Sequence, residues 1–84
     1  MIKLNKQSLE LLKKCLQNHN SSLIPIIEDM NKDDYTESFY NELREIVGNE
    51  LINNGLNEND EPNEYGYKLE KLIDEIGRLF LYKK

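Results

Sequence analysis

The sequence predicts an all-α fold, a small bundle of three to four helices, on three observations. Apolar residues recur at spacings of three and four in separate stretches, the period of one helix face. No segment alternates apolar and polar residues over a useful length, residues 1–4 being the one weak strand candidate. Asn, Ser, Asp, Gly and Pro collect between the periodic stretches, where caps and turns belong. With no internal repeat and no Gly/Ser-rich linker, residues 1–84 are expected to form a single helical domain. Such a chain buries one modest core, for an expected stability of roughly 3–8 kcal/mol.

The first helix is expected over about residues 5–19, with Asn5 as its N-cap. Leu9, Leu12 and Leu16 form its stripe, Leu11 and Cys15 widen it, and the run Asn18-His19-Asn20-Ser21 ends it. Ser22 can cap a short second helix over about 23–31. Pro25 then falls in the first turn, where its missing N–H costs nothing, and Ile24, Ile26, Ile27 and Met30 supply apolar contacts. The third helix spans about 34–54, capped by Asp33 or Asp34. Tyr35, Phe39, Leu43, Ile46 and Val47 point inward, with Tyr40 and Leu51 at the margin, and Gly55 is expected to end it in the left-handed conformation. After an acidic loop, Pro62 should open the fourth helix, about 62–82. Tyr65, Leu69, Leu72, Ile73, Ile76, Leu79 and Phe80 form its inner stripe, and Tyr67 and Tyr82 project outward.

The single cysteine excludes an internal disulfide and fits a reducing compartment. No apolar run approaches the roughly 20 residues that span a bilayer, and no apolar stretch follows the N-terminal lysines as in a secretory signal. A cytoplasmic protein is therefore expected, and the abundance of Asn, Lys and Ile suggests a bacterial one. Net charge is −5, unevenly placed: +3 over residues 1–20, −10 over 28–64 and +2 over 65–84. The central block repels nucleic acid and anionic membrane and attracts basic partners.

Catalytic and metal chemistry find little support. Cys15 and His19 share a helix face, but zinc needs three or four ligands and a thiol–imidazole dyad needs an orienting group. They read as a core-edge cysteine and a histidine near a helix C-terminus. The loop from Asn57 resembles a calcium loop superficially, yet Pro62 stands where glycine is required and Lys68 where glutamate is. No Gly-rich phosphate loop or HExxH pattern is present. No enzyme activity, cofactor or metal is expected. A helix-turn-helix is disfavoured by the long acidic connection between the third and fourth helices.

Glu50 falls between Leu43 and Phe39 on an apolar face. Either it reaches water near the helix end, or it pairs with a cation such as Arg78 or a residue of a partner. Gly66 and Gly77, eleven apart on the fourth helix, mark either a close helix contact or a groove for a partner's side chain.

The segment Leu43-Arg44-Glu45-Ile46-Val47-Gly48-Asn49-Glu50-Leu51, with Asn54-Gly55-Leu56-Asn57 and Glu61-Pro62-Asn63-Glu64-Tyr65-Gly66-Tyr67 onward to Asp74, resembles small bacterial immunity proteins. These neutralise antibacterial toxins, including those of contact-dependent inhibition systems. The resemblance covers the C-terminal half and implies a helix–loop–helix that acts by binding a protein. The expected function is neutralisation of a basic partner, a cognate toxin such as a nuclease, by an acidic surface. The candidate contact residues are Glu42, Glu45, Glu58, Asp60, Glu61, Glu64 and Tyr67. The alternative is a small regulatory or adaptor module, including a phage- or plasmid-type inhibitor. It would bind a basic or amphipathic protein segment, or form a homodimer through residues such as Leu81 and Tyr82.

Overall fold

The computed structural model describes residues 1–32 and 34–81, without the side chain of Leu81. Four α-helices follow one another: α1 (Lys6–His19), α2 (Ile24–Glu28), α3 (Glu37–Asn54) and α4 (Glu64–Leu81), with a 3-10 turn (Ser21–Leu23) ahead of α2. The fold is a small all-α bundle. Among the described residues the one β contact is an isolated bridge between Leu56 and Pro62, and no helix is long and apolar enough to cross a membrane.

Helix α1 starts as its sequence dictates. The Asn5 side-chain oxygen accepts from the Ser8 N–H at 2.8 Å, satisfying one donor of the first turn. The other starts differ from expectation. Helix α3 begins at Glu37 because Thr36, rather than Asp33 or Asp34, is its cap, accepting from the Phe39 N–H at 3.1 Å; Asp33 lies outside the described residues. Tyr35 therefore precedes the helix and packs edge-on against Tyr40 at 5.7 Å, an apolar staple across the cap. Helix α4 begins at Glu64 and not at Pro62, because the Asn63 side chain accepts from the Gly66 N–H at 2.8 Å. Its end beyond Leu81, with Tyr82, lies outside the described residues.

The second helix is shorter than the 23–31 expected. Ser22 does not cap it; its hydroxyl donates to the Asn20 side chain at 2.6 Å, and the extended Asp29 stops the helix after Glu28. Met30, placed beyond that stop, is 84% exposed, and Ile26 is exposed as well. The N-terminal residues form no strand, yet Ile2 is buried and its N–H donates to the Ile27 carbonyl at 2.9 Å. The Met1 amino group reaches the Asp29 and Lys32 carbonyls, so these residues pin α2 against the bundle.

Helices α3 and α4 form a tightly packed antiparallel hairpin. Tyr40 stacks on Phe80 at 5.8 Å at one end, and Glu50 meets Tyr65 towards the other. Helix α1 lies antiparallel to α4, with Ser8 bonded to Glu75 and Lys14 over the Tyr65 ring. Leu12, Leu16, Ile27, Leu43, Leu69, Leu72 and Ile76 fill the shared core. Tyr40, expected at the margin, is buried, because Tyr35 and Phe80 close over it.

The glycines serve different ends. At Gly66 a Cβ would stand 2.1 Å from the Gly55 carbonyl oxygen, so the start of α4 and the end of α3 touch through bare backbone. Gly55 caps α3 at φ −103°, not in the left-handed region expected; its glycine requirement is the same close approach. A Cβ at Gly77 would stand 3.5 Å from the Arg44 guanidinium carbon, so the side chain beside it is the chain's own. Gly48 faces open space. Gly48→Ala is therefore expected to stabilise the protein by about 0.5–1 kcal/mol, read as a higher urea midpoint with unchanged slope.

Candidate functional site

The loop between α3 and α4 is built around Asn57. Its side-chain oxygen accepts from the Asn59 N–H at 2.8 Å and the Glu61 N–H at 3.2 Å. Its own N–H donates to the Glu61 carbonyl at 2.8 Å, and its carbonyl accepts from the Asp60 N–H at 3.1 Å. Asp60 takes a left-handed conformation, φ 59°, which Asp and Asn tolerate better than most side chains. At the base, the Asn63 N–H donates to the Gly55 carbonyl at 2.9 Å.

This frame presents Glu58, Asp60, Glu61 and Glu64 to solvent, and none makes an ion pair among the described residues. Glu64 opens α4, where the helix dipole favours a negative charge. Tyr67, one turn further, is 64% exposed, and Ile52 in the last turn of α3 is 68% exposed. Ile52 was not among the sequence candidates. Its position 180° from Leu43 on the helical wheel was the available signal. Glu42 and Glu45 are also exposed, but stand about 14–18 Å along α3 from its C-terminal end at 1.5 Å per residue. That exceeds the Debye length at physiological salt, about 8 Å. The seven candidates thus fall into two groups, one at the hairpin end and one on the body of α3.

The acidic block as a whole is not one surface. Glu28 pairs with Lys13 at 2.5 Å. Glu50 is buried, at 2% exposure, and neither reaches water nor pairs with Arg78. Its Oε2 accepts from the Tyr65 hydroxyl at 2.7 Å. Its Oε1 lies 2.9 Å from His19 Nε2 and accepts from the Asn54 amide at 3.1 Å. One carboxylate thereby ties α1, α3 and α4 together. Burial pushes the Glu50 carboxyl up, but the bonds from Tyr65, His19 and Asn54 outweigh it and hold the group below its ordinary value. Burial, with the bond to Glu50 adding to it, pushes the Tyr65 hydroxyl up.

No protein-family model, curated protein or solved structure matches the chain. The chemistry open to it is therefore read from its own residues. Burial, reinforced by the Glu50 charge, pushes the Cys15 thiol up to about 11, which leaves it protonated and a poor nucleophile at neutral pH. Cys15 and His19 do lie near a carboxylate, which sequence spacing alone does not show. That carboxylate holds three helices in place rather than facing an open cleft. Among the described residues no three His, Cys, Asp or Glu side chains converge to hold a metal ion.

Proposed function

We propose that this chain is a non-catalytic binding protein that neutralises a basic protein partner. The partner is a cognate antibacterial toxin domain, such as a nuclease, as for the immunity proteins that its C-terminal half resembles. One observation carries this reading: four exposed carboxylates without ion pairs among the described residues sit together, three on a loop already fixed by its own hydrogen bonds and one at the first residue of α4. A fixed loop loses little conformational entropy on binding. Unpaired surface charge speeds encounter with a cationic cleft. Tyr67 and Ile52, exposed at the same end of the hairpin as the loop, supply apolar anchors of the kind such an interface uses.

The test is co-expression with any toxin domain encoded next to this chain. Wild type is expected to restore growth, and E58Q/D60N/E61Q/E64Q is expected to lose protection while keeping its helical circular-dichroism spectrum. The association rate with the purified domain should fall about 10-fold or more from low to physiological salt. Failure to protect, or full protection by the neutral variant, refutes the proposal.

A second reading, an adaptor for an amphipathic protein segment, draws on the exposed Ile26 in α2 and Met30 just past its end. Loss of partner capture on I26S/M30S, with the loop variant unaffected, would select it.

A further inference from the structure

We propose that the cleft between α1 and α4 binds a multiply charged anion of the phosphate class, free or esterified. This site is independent of the acidic loop. The two helices approach less closely than α3 and α4, leaving an open cleft of about 630 Å³, within the size range of small-ligand sites. Leu11 and Tyr65 line it, and Lys14, Lys68 and Lys71 line it from the two facing helices.

The antiparallel register sets Lys14 beside Tyr65 at one end of the cleft and Ser8 beside Glu75 at the other, with Lys68 and Lys71 between them on α4. Lys14 lies over Tyr65, its Nζ 4.8 Å from the ring centroid, at the end where α4 starts. At the far end, about 9 Å away along α1 and about 15 Å along α4 by helical rise, the Ser8 hydroxyl donates to Glu75 at 2.7 Å. Glu75 and Glu10 line the cleft as well; Glu75 is engaged by Ser8 and stands one turn from Lys71, so the lining carries three cations against two carboxylates. Each lysine has a carboxylate one helical turn away on its own helix: Glu10 for Lys14, Glu64 for Lys68 and Glu75 for Lys71. None of the three closes an ion pair within 4.0 Å among the described residues. A ligand with two or more negative charges can meet ammonium groups on both helices at once and outweigh the two lining carboxylates. Tetrahedral oxyanions supply those charges with acceptors in several directions.

The probe is sodium pyrophosphate, measured by calorimetry and thermal unfolding against sodium chloride matched for ionic strength. At five times its Kd, pyrophosphate should raise the Tm by about 4–8 °C. K14Q/K68Q/K71Q, all at exposed positions, should keep the ligand-free Tm within about 4 °C and weaken binding by about 30-fold or more. K14R/K68R/K71R should retain binding, which separates lost charge from lost fold. The loop variant E58Q/D60N/E61Q/E64Q should bind pyrophosphate at least as well as wild type, so this site and the toxin-binding reading can fail separately. A nucleoside diphosphate should compete with pyrophosphate; failure to compete overturns the ester assignment. No Tm shift beyond the chloride control, or equal binding by the glutamine variant, overturns the site.

Discussion

Replacing Tyr65 with Phe should destabilise the protein by about 2–3 kcal/mol at pH 7, although the ring and its packing remain. The hydroxyl is the donor to Glu50 Oε2 at 2.7 Å, and the carboxylate cannot turn to water, being 2% exposed. An ionised group left short of a partner in the interior bears its full desolvation cost. Against an expected total of roughly 3–8 kcal/mol, this is a large fraction, and urea unfolding should show it as a lower midpoint. The same contact makes stability depend on pH. The folded-state pKa of Glu50 lies below its ordinary 4.5, so the unfolded chain binds the proton more readily. The stabilisation from this group is complete above that value and is lost as pH falls through the lower, folded one. Glu50→Gln should thus be less stable than wild type at pH 7, with the difference shrinking on acidification. A difference that stays constant from pH 7 to pH 3 would show that Glu50 is not held ionised by these bonds.

Gly66→Ala is the second large effect, with an expected loss of about 2–3 kcal/mol. A Cβ at this position meets the Gly55 carbonyl oxygen at 2.1 Å and the Leu51 side chain at 3.2 Å. The first is backbone and cannot swing aside. The roughly 1 kcal/mol by which alanine favours a helix over glycine is too small to offset the displacement. The shift would also strain the bond from the Asn63 N–H to that carbonyl, so hydrogen exchange should quicken at Asn63 and in the first turn of α4. Gly48→Ala, on the same hairpin but facing open space, has the opposite sign. A Gly66→Ala protein with wild-type stability would refute the backbone contact.

What could be read from the residues follows from the range of each interaction. The inner stripes of α1, α3 and α4 were legible because a helix face repeats every three to four residues and needs no knowledge of distant chain. Caps are local but degenerate. Asp33, Asp34 and Thr36 are all cap-forming types, and Tyr35 packing across Thr36 onto Tyr40 decided the start of α3. Glu50 was legible as an anomaly, a carboxylate on an apolar face, but its partners were not. His19 lies 31 residues away and Tyr65 lies 15, and no periodicity joins positions on different helices. The acidic loop was legible as charge. Its separation from Glu42 and Glu45, and the pairing of Glu28 with Lys13, depend on how the helices dock.

The bridge between Leu56 and Pro62 and the bond from Asn63 to Gly55 close the hairpin loop at its neck. Residues beyond that closure hang on a scaffold that does not need their side chains, so the tip can be exchanged by engineering while the neck and the bundle stay constant. Side-chain changes at Glu58 and Asn59 are thereby expected to leave the bundle's stability nearly unchanged, whereas Asp60, at φ 59°, accepts Asn or Gly more readily than other residues.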